Sequence, residues 1–473
     1  MAQTLFFYDL ETSGLNPRFS RVMQFAGQRT DLDLQPIDEP INIFVRLSED
    51  ILPSPSAIMV TGITPQQTLS DGLSEAEFAK FLYAEVFTPD TVAIGYNNIR
   101  FDDEFLRNTF WRNFHDPYEW QWSEGRSKWD LLDVVRLVRA LRPDGIKWPF
   151  ASKNGEKYPT NKLELLSKVN KLEHKHAHDA LSDVEALIGM TRLIREKQPK
   201  IYDYLFENRG KKEVAKLVNL DNPQPFVYAS GRYDTAHEKL AVAFPIAPGK
   251  NAGTMLVYNL LFDPTEFAEL KDGDFLKSLT LRYTELESAG LPQLPIKELN
   301  FGRCPAIAPL GVLDEKSAKR LDINLEQVKE NYQKLLKNRG IIDKMINAWR
   351  ERPEYEASKD VEGKLYDSFI PDADKIRVQK IPEMMVEELA DFNPNFTDER
   401  LPELLFRYKA RSFPKSLSEA EQKRWQSYRA QKFAEQAPKY MEELQKLSRS
   451  GSDDFLLQEL QLWAESIYPE IDE

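Results

Sequence analysis

The sequence predicts an α/β domain first, then a small β domain, then a charged helical domain. Three patterns carry that prediction. Up to about residue 198, apolar runs of strand length alternate with segments of helical period. From 199 to about 350, short β-like runs are punctuated by Gly, Pro and Asn. Beyond about 354 the chain is charged and mostly helical in pattern. The expected domains are therefore 1–198, 199–352 and 354–473, with Gln198-Pro199 marking the first boundary.

The first domain opens on Leu5-Phe6-Phe7-Tyr8-Asp9-Leu10-Glu11-Thr12, an apolar strand ending in two carboxylates. Side chains alternate along a strand, so Asp9 and Glu11 emerge on one face. Two adjacent acids repel unless a cation sits between them, and paired divalent ions ~3.5–4 Å apart are a phosphodiester-cleaving device. Residues 74–87 read as a helix, and 91–96 as a buried strand broken by Asn97-Asn98. Asp102 opens a helix over 102–114 that runs through Phe105, Leu106, Thr109 and Phe110. Asp103 and Glu104 beside it are expected to be solvated acids of the first turn. Further helices are expected at 130–141 and 161–170.

Asp179 reads as the N-cap of a helix over 180–196 whose apolar face is Ala180, Val184, Leu187, Ile188 and Ile194. Asp183 falls on the flank of that face, where a carboxylate is costly unless paired or metal-bound. His178 stands just ahead of the helix. Four acids and a histidine are thus available around one sheet edge. The run His174-Lys175-His176-Ala177-His178 also admits a structural zinc site, but the sole cysteine, Cys304, is remote in sequence.

The second domain is read as strands at 225–229, 240–246, 255–260, 279–283 and 296–301, followed by helices at 314–322 and 324–350. Helices at 384–389, 400–410, 418–435 and 438–447 follow. At 473 residues the chain exceeds what one hydrophobic core supports, and 41% hydrophobic content argues against disorder. One cysteine excludes an internal disulfide, and no apolar run is long enough to span a bilayer. A cytoplasmic, unprocessed monomer with no membrane association is expected. The net charge of −13 argues against a polyanionic ligand, yet residues 401–450 hold eleven Lys/Arg against six Asp/Glu. A strand of nucleic acid needs a local basic groove, not a basic protein.

Asp9-x-Glu11, Asn98-x-x-Phe101-Asp102 and His178-x4-Asp183 resemble the three motifs of the DEDD exonuclease superfamily, in its histidine-bearing branch. Longer strings narrow the resemblance to the bacterial exonuclease I family. They include Thr61-Gly62-Ile63-Thr64-Pro65, Gly95-Tyr96-Asn97-Asn98-Ile99-Arg100-Phe101-Asp102-Asp103-Glu104 and Trp129-Asp130-Leu131-Leu132-Asp133-Val134. Thinner similarity continues to Arg407-Tyr408-Lys409-Ala410-Arg411, and so covers essentially the whole chain.

That resemblance implies a ribonuclease H-like nuclease domain (a mixed sheet flanked by helices), an SH3-like domain and an α-helical C-terminal domain. It implies degradation of single-stranded DNA from the 3′ end, releasing 5′-mononucleotides, in DNA repair and recombination. Asp9, Glu11, Asp102 and Asp183 would hold two Mg²⁺ ions, for which Mn²⁺ substitutes. His178 would be the general base, and Glu11 would also touch the terminal nucleotide.

A single strand is held by stacking bases on aromatic rings while Lys and Arg track phosphates. Arg107, Phe114, Tyr118, Trp120 and Trp122 form a candidate platform, with about half of these rings expected in the core. Arg136, Arg139 and Arg142 follow at a spacing of three, which gives neighbours a common helix face. The family resemblance favours Arg107, Tyr118, Trp122, Arg136 and Arg142 as strand contacts and adds Arg303. It places Lys162 where arginine is common, and lysine keeps the charge but loses the bidentate fork. It also implies a partner, the acidic C-terminal tail of single-stranded DNA-binding protein, with Lys316, Lys319 and Arg320 as candidate contacts.

Two rival readings stand. One is an RNA-directed or short-oligonucleotide exonuclease of the same superfamily; the long stretch beyond the nuclease domain favours a long-strand grip instead. The other is a non-catalytic DNA-binding scaffold, against which four intact acids argue.

Overall fold

The computed structural model describes residues 2–153, 155–172, 180–353 and 356–469. It divides into two compact bodies. The first comprises Met1–Lys128, Glu173–Ile188 and Ala357–Glu473; the second comprises Trp129–Leu172 and Gly189–Glu356.

In the first body the apolar stretch at the N-terminus is strand β1 (Thr4–Thr12). It is joined by β2 (Val22–Thr30), β3 (Ile41–Phe44), β4 (Thr91–Gly95) and β5 (Ser127–Asp130, of which Ser127 and Lys128 fall in this body) in the order β3-β2-β1-β4-β5. β1 runs antiparallel to β2 and parallel to β4, giving the mixed sheet of the ribonuclease H-like expectation. Alternation along β1 sends Phe6, Tyr8 and Leu10 into a core with Phe25, Phe78, Phe105, Phe110 and Trp120. Each fully buried phenylalanine contributes about 1.5–3 kcal/mol to holding that layer together. Leu5, Phe7, Asp9 and Glu11 consequently take the opposite face.

Helix Glu75–Phe81 begins at a capping box between Ser74 and Glu77 and continues as a π-turn over Leu82–Val86. Helix Asp102–Arg112 covers the Phe6 face of the sheet. Its far side packs Trp111 against Leu404, Leu405 and Tyr408, with Phe114 just beyond its end in the same cluster. Helix Ala180–Lys197 buries Ala180, Val184, Leu187, Ile188 and Ile194, the face its periodicity predicts. Tyr440, Leu444 and Trp463 pack with Met23, Leu47 and Ile58 in a further core.

The second body holds helices Leu131–Leu141 and Leu163–Asn170 and a hairpin of β6 (Phe150–Lys153) and β7 (Glu156–Pro159). A five-stranded antiparallel sheet follows. It contains β8 (Phe226–Ala229), β9 (Leu240–Pro248), β10 (Thr254–Asn259), β11 (Ile296–Asn300) and β12 (Ala306–Pro309), in the order β11-β10-β9-β8-β12. Phe226, Tyr228, Val257 and Leu299 line its core with Val214 and Val218.

Three elements differ from expectation. Residues 279–283 are not a strand: helix Asp272–Thr280 ends there and helix Tyr283–Ala289 begins. The alternation of Leu279, Leu281 and Tyr283 mimics a strand. Asp272 and Asp274 in the first turn, with Phe275 and Ser278 buried three apart, set the helical period that prevails. The expected helix over 324–350 is two, Leu325–Lys337 and Arg339–Arg350, divided at Asn338. Conversely, 418–435 and 438–447 are one helix, Glu419–Arg449, with Pro438 inside it. Proline removes one ladder hydrogen bond, and the apolar packing of Tyr440 and Leu444 beyond it offsets that loss. Among the described residues no helix is long and apolar enough to cross a membrane.

Candidate active site

The parallel register of β1 with β4, Phe7 opposite Ile94, brings the C-terminal ends of both strands to one edge of the sheet. Asp9 lies two residues past Phe7, and a register shift at Glu11/Thr12 ends the regular pairing with β2. From β4 the chain turns sharply through Asn97, in the left-handed region at φ 67°, into a 3₁₀ turn over Asn98–Arg100. Gly95 permits that turn, because a Cβ there would lie 2.5 Å from the Cβ of Asn98. The turn delivers Asp102 as the first residue of its helix, 5% exposed.

Asp183 occupies the first turn of helix Ala180–Lys197. Asp9, Glu11 and Asp183 each offer a carboxylate oxygen, and these oxygens all lie within 4.8 Å of one another. Asp102 is outside this trio, but its charge acts on Asp9. Burial first, then the Asp102 and Asp183 carboxylates, push the Asp9 carboxyl well above its usual range. Converging carboxylate oxygens of this kind are the donor set of a hard divalent cation such as Mg²⁺ or Mn²⁺, not of a soft one.

Asp103 corrects the expectation of a solvated first-turn acid: it is 0% exposed. Successive helical residues turn by about 100°, so Asp103 faces the core where its neighbour Asp102 does not. Its Oδ1 accepts from the Tyr8 hydroxyl at 2.5 Å and from Asn98 Nδ2 at 3.1 Å. Its Oδ2 accepts from Gln121 Nε2 and lies 3.5 Å from Lys128 Nζ. A carboxylate only accepts, so it fixes both amide orientations. Gln121 Oε1 then receives Arg107 Nη2 and Lys128 Nζ. Burial, with the Asp103 and Asp102 charges, pushes the Tyr8 hydroxyl well above its ordinary value, so it remains a donor. Tyr8 and Asn98 stood within recognisable motifs; nothing local in the sequence marked Gln121 or Lys128.

The expected strand contacts divide by environment. In the first body, Arg107 pairs with Glu104 at 2.7 Å and its guanidinium lies 5.9 Å from the Tyr118 ring centre. Tyr118 also meets Tyr366 and Phe369, the latter 85% exposed. Trp122 is 66% exposed, whereas Phe114 and Trp120 are core residues and leave the candidate platform. In the second body, Lys162 and Arg303 are exposed. Arg136 pairs with Asp133, and Arg142 pairs with Asp314 at 3.3 Å and donates to the Val312 carbonyl. Arg139 is a structural residue, 1% exposed and donating to the carbonyls of Thr160 and Pro149. Lys316 and Lys319 are exposed, while Arg320 pairs with Glu238 at 2.8 Å. His178, Asp179 and the other histidines of the zinc alternative lie outside the described residues.

Three family models match the chain: "Exonuclease" over residues 6–191, "Exonuclease I SH3-like domain" over 209–351 and "Exonuclease I C-terminal domain" over 359–467. The chain is 40% identical to exodeoxyribonuclease I of Haemophilus influenzae over 452 residues, 95% of each chain. It is similar to the crystal structure of E. coli exonuclease I in complex with a dA16 oligonucleotide. The TM-score is 0.94 at 37% identity, covering 98% of this chain and 100% of that one. The zinc-bound form of the E. coli exonuclease I–single-stranded DNA complex gives a TM-score of 0.93 at 36% identity, covering 98% and 99%.

Proposed function

The chain belongs to the exonuclease I family, and from that premise we propose that it shortens single-stranded DNA from the 3′ end, releasing 5′-mononucleotides with Mg²⁺ as cofactor. The observation that carries the reading is the meeting of Asp9, Glu11 and Asp183 within 4.8 Å at the end of β1. Those three, with Asp102, would hold the two divalent ions, which would supply Lewis-acid polarisation of the phosphodiester and lower the pKa of a water.

The chain's own residues do the rest. His178 accepts the proton of the attacking water, an imidazole being able to titrate near working pH. The water oxygen bonds to phosphorus as the bond to the 3′ oxygen breaks. That oxygen leaves with a proton drawn from solvent, as the new 3′ hydroxyl of the shortened strand. Glu11 also contacts the terminal nucleotide. Arg107, Tyr118, Trp122, Lys162, Arg136, Arg142 and Arg303 hold the strand by stacking and by phosphate contact.

Single strands labelled at the 5′ or the 3′ end, incubated with Mg²⁺, test the reading. The 3′ label is expected as mononucleotide at once, with the 5′-labelled strand shortening stepwise and EDTA stopping both. Shortening from the 5′ end, or equal attack on RNA of the same sequence, overturns it. The protein is further read as a cytoplasmic monomer that engages the acidic tail of single-stranded DNA-binding protein through Lys316, Lys319 and Arg320. Reversing those three charges is expected to abolish capture by an immobilised tail peptide.

A further inference from the structure

Asp103 is a buried acid that the proposed chemistry does not use. A carboxylate at 0% exposure is costly, and a packed apolar side chain in its place is often neutral or stabilising. This one draws donors from four separate pieces of chain: Tyr8 on β1, Asn98 in the 3₁₀ turn, Gln121, and Lys128 on β5. Both ends of its link to Tyr8 are adjacent in sequence to candidate metal ligands. Tyr8 precedes Asp9 on β1, and Asp103 itself follows Asp102 on the helix. The Tyr8–Asp103 bond therefore ties the strand bearing Asp9 to the helix bearing Asp102, on the core side of both.

We propose that Asp103 is a positioning residue which, through its bonds to Tyr8, Asn98 and Gln121, sets the placement of Asp9 and Asp102 and thereby the affinity of the site for divalent cations. The inference rests on the metal-site reading of the preceding subsection. Groups that orient metal ligands are typically worth about 10–100-fold in metal affinity or activity, because a mobile carboxylate gives up geometry on binding. Saturation of both Asp103 oxygens is what fixes the geometry here. Removing one donor loosens the link without emptying the core.

Mn²⁺ binding to the full chain, read from the loss of the free-ion EPR signal, tests this directly. Tyr8→Phe keeps the ring that packs on Phe25 and Phe87 and removes only the hydroxyl. It is expected to weaken Mn²⁺ binding several-fold, and Asp103→Asn by about 10–100-fold. Single-stranded DNA affinity in EDTA should stay within twofold for both variants. Turnover should recover substantially at saturating Mn²⁺, a shift in metal requirement that simple destabilisation does not produce. Where Asp103→Asn fails to fold, Tyr8→Phe decides alone. Mn²⁺ affinity within twofold of the parent in the folded variants overturns the inference while Asp183→Asn loses binding. Unchanged binding in Asp183→Asn as well overturns the metal-site reading itself.

Discussion

Arg411 grips both oxygens of Asp50, from Nε at 3.0 Å and from Nη2 at 2.7 Å, although the two residues lie 361 positions apart. The same Nη2 is 2.6 Å from Glu362, which Arg21 at 2.6 Å and Arg407 at 3.1 Å also reach. Lys432 completes Asp50 at 2.6 Å. Within the first body, the loop after β3 and the C-terminal helices thus share one buried ionic core.

Removing the shared cation should be severe. Arg411→Ala leaves two buried carboxylates short of their common partner, a change that costs about 3–5 kcal/mol when one member of a buried pair is lost. Equilibrium unfolding in urea measures it. Arg411→Lys is expected to recover only part, because an ammonium cannot bond both Asp50 oxygens and Glu362 in the planar fork. A loss below about 1 kcal/mol for Arg411→Ala, the range of an exposed pair, would contradict this account.

The same cluster sets the acid limit. Burial alone would raise both acids, but Arg411 and Lys432 hold Asp50, and Arg411 and Arg21 hold Glu362, well below the ordinary 3.8 and 4.5. A carboxyl depressed in the folded state stabilises above its unfolded value, and that contribution is lost as pH falls toward the folded value. Melting temperature should therefore stay nearly level from pH 7 to about 5 and drop progressively below about 4.5. Glu362→Gln should be less stable at neutral pH and shallower in the acid limb. An acid limb of unchanged steepness in Glu362→Gln argues that other carboxylates govern it.

How much of this was legible in the sequence depends on range. β1 and β4 are readable because each is an apolar run bounded by breakers, and the inward face of helix Ala180–Lys197 follows from its period. β2 carries no such signal, because Gln24 and Gln28 are buried within it and break the apolar pattern. Gln24 is accommodated by a hydrogen bond that its Nε2 donates to Asn42 Oδ1 on β3, a partner that no local pattern announces. The burial of Asp103 departs from expectation for the same reason. First-turn acids are favoured by the helix dipole whether or not they are solvated, and its Tyr8 donor lies 95 positions away. The oxygen trio at the site, by contrast, needed only strand alternation and helix phase.

His178, the proposed general base, lies outside the described residues, and kinetics test its role. His178→Ala is expected to lower kcat by about 10²–10⁴-fold, the range for removing a positioned proton acceptor. Binding of oligo(dT) in EDTA should be unchanged, because in the proposed mechanism the imidazole acts on water and not on the strand. Equal losses in turnover and strand affinity would place His178 among the binding residues instead.

Trp120 and Trp122, two positions apart, should respond in opposite ways. Trp120 is 1% exposed, donates from Nε1 to the Pro117 carbonyl and packs 4.4 Å from the Phe87 ring centre. Trp120→Ala should therefore lose about 3–5 kcal/mol of stability, as large aromatic deletions in cores do. Trp122 is 66% exposed, and truncating it removes little packing. A solvent-facing indole close in sequence to the Arg107–Tyr118 pair is suited to stack a base of any identity. Trp122→Ala should leave the melting temperature unchanged and weaken oligo(dT) binding by about 1–3 kcal/mol, roughly 5- to 150-fold in Kd. The loss should be similar for oligo(dA), since stacking needs only a π-face. Fluorescence anisotropy with both oligonucleotides makes the measurement, and a Kd within twofold of the parent for each would remove this ring from the strand-binding surface.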